Sequence, residues 1–218
     1  MSDSLYDEFL AQIDDYQIVE NRMRRMVSAA MQRQRGLMVI MEEVYNPHNL
    51  AAIARSCDAF GVQNLAFLPQ NPDDFDIAAT NSTSVSAFKW LDYRMFSDGI
   101  EAALTTLKAE GWHIMATWVN PEASSIYETD FTQYDKLALL VGNEHTGLSA
   151  KAIELADSYV YIPMLGFVQS FNVSVAAAIS LFEITRQRRA SDKEYQFDTD
   201  TIRTLTKDFL KRQASDKT

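Results

Sequence analysis

Between residues 37 and 189, short uninterrupted apolar runs alternate with longer stretches whose apolar positions recur every three or four residues. The runs at 37–44 (LMVIMEEV), 64–69 (NLAFLP), 112–119 (WHIMATWV), 136–142 (KLALLVG) and 159–164 (YVYIPM) predict buried strands. A further short strand is expected within VSAFKWLDY. The helical stretches fall at 50–60, 97–111, 150–157 and 173–189. Asn49 is placed to cap the first of these, and Gly61 to close it. Gly111 stops the second. Residues 4–34 read as a largely polar helix with a break near Asp14–Tyr16. Residues 69–84 read as loop, and one more helix is expected at 199–212.

Alternation of this kind means an α/β fold, a parallel sheet covered by helices on both faces. The expected organisation is an N-terminal helical arm over 1–36, a core domain over 37–189 and a C-terminal tail with a helix over 190–218. No repeat is evident.

Charge changes the picture locally. The 218 residues hold 20 basic and 30 acidic side chains, a net charge of −10, which argues against nonspecific nucleic-acid binding. Yet residues 22–35 carry Arg22, Arg24, Arg25, Arg33 and Arg35 with no acid, and Arg186, Arg188 and Arg189 cluster at the end of the last core helix. Such patches suit an anionic partner, or are solvated helix ends. Acids gather at Asp3, Asp7, Glu8, Asp14 and Asp15, and again at Asp73, Asp74 and Asp76. No stretch reaches the ~18–20 apolar residues of a membrane span. With an acidic N-terminus, no secretory pattern and one cysteine, Cys57, a cytoplasmic location is expected.

Several chemistries lack their marks. There is no G-x-G-x-x-G after the first strand, no phosphate-binding G-x-x-x-x-G-K-[ST] and no G-x-S-x-G elbow. His48, His113 and His145 have no metal spacing, so no metal is expected. What remains are three polar segments, each following a strand: 46–62 (NPHNLAAIARSCDAFGV), 139–149 (LLVGNEHTGLS) and 161–179 (YIPMLGFVQSFNVSVAAAI). In open parallel sheets, ligands bind at that edge.

Together these segments resemble the SpoU/TrmH family of RNA ribose 2′-O-methyltransferases, of the SPOUT class. The first family motif, an Asn with an Arg six residues on, matches Asn49 and Arg55. The second, G-x-E-x-x-G, matches Gly142, Glu144 and Gly147. The third, I-P-M-x-G-x-x-x-S-x-N-V-S-x-A, matches Ile162, Pro163, Met164, Gly166, Ser170, Asn172, Val173, Ser174 and Ala176. The resemblance covers about residues 20–190. The basic N-terminal helix and the R-Q-R run at 186–188 place it nearest the branch that methylates tRNA guanosine.

The resemblance implies a SPOUT-type trefoil knot, S-adenosyl-L-methionine as methyl donor, an RNA substrate and a homodimer formed through helices beside the donor loops. The expected target is the D-loop guanosine of tRNA. Action on rRNA, or an idle RNA-binding homologue, are the alternatives. Arg55, Asn49, Glu144, Ser170 and Asn172 are the implied catalytic set. Arginine is effectively never deprotonated, so Arg55 suits clamping a phosphate and donating to a forming alkoxide, not acting as a base. Its structural alternative is an ion pair with Asp58 at i+3. Glu144 could instead accept backbone N–H groups, and Ser170 or Asn172 could cap the last core helix. Thr117, Gly142, Ile162, Leu165 and Phe171 are the implied donor-binding positions. Phe171 replaces the family's usual Leu. Arg22, Arg24, Arg25, Arg33, Arg35, Arg186 and Arg188 are the implied RNA contacts.

Overall fold

Leu37, Val39 and Met41 turn to one face of the first strand, Met38 and Ile40 to the other, and all five are buried. Leu137, Leu139 and Val141 alternate in the same way with Ala138 and Leu140 on its neighbour. A strand apolar on both faces must be covered on both, which is why these runs are continuous and not alternating in polarity. In the computed structural model, which describes residues 2–16, 18–71 and 87–215, helices lie on each side.

The strands are β1 (Gln34–Glu42), β2 (Val62–Leu68), β3 (Asp92–Met95), β4 (His113–Thr117), β5 (Ser124–Ser125), β6 (Leu137–Val141) and β7 (Ser158–Tyr161). They form one sheet in the order β3-β2-β1-β6-β4-β7-β5. Pairing is parallel between β1 and β6 (Val39 opposite Leu139), β4 and β6, β4 and β7, β2 and β3, and β5 and β7. The centre of the sheet is therefore β1, β6, β4 and β7, and their C-terminal ends share one edge.

The helices are α1 (Ser2–Leu10), α2 (Ile13–Tyr16), α3 (Glu20–Gln32), α4 (Pro47–Phe60), α5 (Gly99–Ala109), α6 (Ala150–Leu155), α7 (Val173–Ala190) and α8 (Thr199–Ser215). Ile53, Ala54 and Cys57 of α4 and Ala177, Leu181 and Ile184 of α7 cover one face of the sheet. Leu104 and Leu107 of α5 and Ala152 of α6 cover the other.

Several expectations change in detail. Asn46, not Asn49, caps α4: its side chain accepts from the His48 N–H at 2.9 Å, and Pro47 supplies the first helical position. Asn49 thereby moves into the first turn, where it is buried and free to serve the site. Gly61 closes α4 in the left-handed conformation, as expected (φ 79°). The two-residue strand β5 is too short for any periodicity to announce. Most of the 69–84 loop, with Asp73, Asp74 and Asp76, lies outside the described residues.

The chain divides into two compact units, residues 36–195 and residues 1–35 with 196–218. The first is the sheet with α4–α7. In the second, Met23, Met26, Val27 and Ala30 of α3 are buried, as are Leu5 and Phe9 of α1 and Phe209 and Leu210 of α8. Arg203 on α8 joins Glu8 on α1 at 2.9 Å. No helix among the described residues is long and apolar enough to cross a membrane.

Candidate active site

The loop after β6 is built around Asn143. Its backbone N–H donates to Gly147 O at 3.0 Å, and Gly147 N–H returns the bond to Asn143 O at 3.0 Å. The Asn143 side-chain oxygen accepts from the His145 and Thr146 N–H groups at 2.8 and 3.1 Å. Its Nδ2 donates to Glu43 O at the end of β1, at 2.7 Å. Glu42, buried, accepts from both the N–H and the hydroxyl of Ser149, the N-cap of α6. Glu42, the last residue of β1, and Glu43 just after it thus hold both ends of this loop. Gly142 is required by close approach: a Cβ there would stand 2.4 Å from the Gly147 carbonyl carbon.

The folded loop presents Glu144 toward α4. Asn49 Nδ2 donates to Glu144 Oε1 at 2.8 Å, and Asn172 Nδ2 donates to Asn49 Oδ1 at 3.1 Å. Asn172 Oδ1 accepts from the Ser174 N–H at 2.9 Å, capping α7. One residue from each of the three polar segments therefore joins a single hydrogen-bonded chain. Asn172 caps its helix and serves the chain at once, because a side-chain amide has a donor and an acceptor to divide between them. Glu144 is ordered by a side-chain amide, not by the backbone N–H groups of its own loop.

Beside this chain lies a cavity of about 270 Å³, bounded by the ends of β4, β6 and β7 and by the start of α7. Thr117, Gly142, Glu144, Ile162, Ser170 and Phe171 line it. The Thr117 hydroxyl is turned into the sheet, donating to Leu140 O at 3.1 Å. Leu165 is not in the wall; its side chain is 96 % exposed on the loop that leaves β7, so no side-chain contact with a ligand in the cavity follows from its position. Trp118, Leu148, Val160 and Val173 make much of the wall apolar. An apolar cleft with backbone polar groups at its rim suits a flat, uncharged heterocycle carrying a polar tail.

Arg55 stands apart. It is exposed, on α4 six residues beyond Asn49, and six residues at 100° each put it on a different face of the helix. Among the described residues it makes no hydrogen bond or ion pair, so the pair with Asp58 does not form.

The arginines divide. Arg25 and Arg35 are exposed, as is Arg24, which pairs with Glu20 at 2.7 Å. Arg22 donates to Gln213 on α8. Arg186 is exposed but held in a two-pronged pair with Glu183, whose carboxyl it keeps below the usual carboxylate range. Arg33 and Arg188 are buried, which corrects their assignment to RNA. The Arg33 guanidinium lies over the Phe209 ring. Arg188 donates to Gly36 O at 3.0 Å and Tyr134 O at 3.2 Å beneath the Tyr195 ring. Their charges are spent inside the protein. Asn143, Glu42 and Glu43 were not singled out from the sequence; the signal available was Asn143 placed to fold a turn onto the residues after it.

Among proteins of known function, the chain is 43 % identical over 169 residues to a tRNA (guanosine(18)-2′-O)-methyltransferase of Thermus thermophilus, covering 78 % of this chain and 84 % of that one. The crystal structure of the Aquifex aeolicus TrmH/SpoU tRNA modifying enzyme superposes with a TM-score of 0.78 at 32 % identity, over 89 % of this chain and 97 % of that one. The SpoU methyltransferase AviRb of Streptomyces viridochromogenes, solved with S-adenosylmethionine, matches at TM-score 0.61 and 28 % identity, over 73 % and 63 %. The model of the SpoU rRNA Methylase family spans residues 36–182, the sheet and all three polar segments, and by that match the chain belongs to the SpoU methylase family.

Proposed function

We propose that this protein transfers a methyl group from S-adenosyl-L-methionine to the ribose 2′-hydroxyl of a guanosine in the D loop of tRNA. The observation that carries the reading is the Asn49–Glu144–Asn172 chain at the edge of the cavity, assembled from the three segments in which the family resemblance resides.

Bound in the cavity, the donor supplies an electrophilic methyl on a sulfonium. Its apolar part suits Val160 and Val173, and its polar tail suits the backbone groups beside Gly142 and Ile162. Phe171, 38 % exposed, covers the cavity's edge against water. Asn49 fixes the Glu144 carboxylate, which sets negative charge near the place where a cation must sit. The free N–H groups of the first turn of α7 add a positive dipole to the same corner. Arg55 is the one catalytic group that RNA must recruit. Its guanidinium suits the phosphate beside the target ribose, and a second N–H can donate to the ribose oxygen as negative charge develops on it.

A homodimer and the trefoil knot belong to this reading. In support of the dimer, Phe167, Leu165, Val175 and Phe182, on and beside the segments flanking the cavity, are exposed apolar side chains. The strand order is consistent with the knot.

The test is methylation of unmodified tRNA and rRNA by the purified protein with labelled donor, followed by mapping of the product. Label in the ribose of a D-loop guanosine is the expected result. Label only in rRNA overturns the substrate, and no transfer to either RNA overturns the activity.

A further inference from the structure

Ser180 lies on α7, one turn beyond Ala176, and both residues line the cavity. It is 1 % exposed, and among the described residues its hydroxyl has no hydrogen-bond partner. The contrast with the other buried hydroxyls is informative. Thr185 on the same helix donates back to Leu181 O at 2.8 Å, and Thr206 on α8 to Ile202 O at 2.9 Å. A buried helical hydroxyl ordinarily satisfies itself in this way. One left unpaired costs free energy, so it calls for an explanation. The Ser180 hydroxyl borders a cavity whose neighbouring wall residues Val160, Val173 and Ala176 offer it no side-chain partner.

We propose that Ser180 reads the edge of the adenine ring of the methyl donor, a specificity contact within the donor site. This rests on the methyltransferase reading above. The donor has a charged amino-acid tail, a ribose and a flat, uncharged base. Of these, the base is the part that can lie against the Val160, Val173 and Ala176 wall beside Ser180 without a large desolvation cost. An adenine edge offers an amino donor beside a ring-nitrogen acceptor. A hydroxyl can answer either, donating one hydrogen bond and accepting another. The apolar wall thus has shape for the base and the Ser180 hydroxyl to orient it, the usual economy of a small-molecule site.

The experiment is calorimetric titration of the full-length protein, wild type and Ser180→Ala, with S-adenosylhomocysteine. Analogues with the base altered at one edge position (the 6-deamino, 1-deaza, 3-deaza and 7-deaza forms) follow. Ser180→Ala should bind S-adenosylhomocysteine roughly 3- to 10-fold more weakly, the scale of one hydrogen bond. Wild type should lose a similar factor for one of the edge analogues, and Ser180→Ala should no longer distinguish that analogue from the parent. Ser180→Thr, which restores the hydroxyl, should restore the discrimination. Melting of the unliganded variants reports any purely structural role, which would shift stability and leave analogue discrimination unchanged. Equal affinity of wild type and Ser180→Ala, or a uniform loss across all analogues, overturns the proposal while the donor site stands. Failure of wild type to bind S-adenosylhomocysteine at all overturns the methyltransferase reading, and this contact with it.

Discussion

Asn49 Nδ2 lies 2.8 Å from Glu144 Oε1, a bond between the first turn of α4 and the loop after β6, across 95 positions of sequence. Because Asn49 also accepts from Asn172, its amide is satisfied on both sides. Removing either end leaves a partly buried polar group without its partner.

That arrangement predicts strong coupling. Asn49→Ala and Glu144→Ala should each slow methyl transfer, and the double variant should slow it by less than the product of the two. A double-mutant cycle on the single-turnover rate should return a coupling of roughly 0.5–3 kcal/mol. Strict additivity would show that the contact plays no part in the reaction.

Arg55 should behave differently, because among the described residues it has no hydrogen-bond or ion-pair partner. Arg55→Ala should keep the wild-type melting temperature and donor affinity and lose at least ~100-fold in turnover, the scale of one missing transition-state donor. Parallel melting, calorimetry and rate measurements check this. Turnover near wild type removes Arg55 from catalysis.

The arginines near the start of α3, half-buried Arg22 and exposed Arg24 and Arg25, should carry electrostatic RNA affinity, and Arg25 most of all, since among the described residues it has no competing partner. Replacing Arg22, Arg24 and Arg25 with alanine should weaken tRNA binding and flatten its log–log salt dependence by about 0.7–0.9 per lost phosphate contact. Donor affinity should not change. An unaltered salt slope would exclude these residues as phosphate contacts.

Arg188→Ala should act on stability instead. It strips two backbone carbonyls, Gly36 O and Tyr134 O, of a charged donor in a buried setting. A loss of about 2–3 kcal/mol is expected by chemical denaturation. Arg186→Ala, whose pair with Glu183 is exposed on the arginine side, should leave the denaturation midpoint close to that of the wild type.

His113 gives the fold a pH dependence. Its ring stacks on Tyr134 at 3.9 Å and its Nε2 lies 2.7 Å from Ser158 Oγ. Burial holds its pKa below the ordinary 6.5, opposed by Asp157 and reinforced by Lys108. Folding therefore favours the neutral ring. Its contribution is complete above the unfolded value and is lost as pH falls through the folded one. Between about pH 7 and about pH 5, the wild type should lose more melting temperature than His113→Phe. Parallel curves would show that another group sets the slope.

The strands with long apolar runs were legible in the sequence because a buried parallel strand must be apolar on both faces, and runs such as LALLV are short for a helix and bounded by turn residues. Gly61 was legible as a helix stop because the left-handed cap is a local backbone demand. The three polar segments could be recognised by residue type and spacing for the same reason: each is a short local motif. What they do to one another was not local. The cap of α4 fell to Asn46, because Pro47 begins the helix, and only then was Asn49 available to meet Glu144 and Asn172. No periodicity distinguishes Arg33 and Arg188, which are buried under aromatic rings, from Arg25 and Arg55, which are not, since all are arginines on or beside helices. Nor does it say that Ser180 faces a cavity while Thr185 bonds its own helix. Secondary structure follows from neighbours within a few positions. The partner of a charge, an amide or a hydroxyl is set by which distant segments the sheet brings to its edge, and that is decided only when the chain is folded.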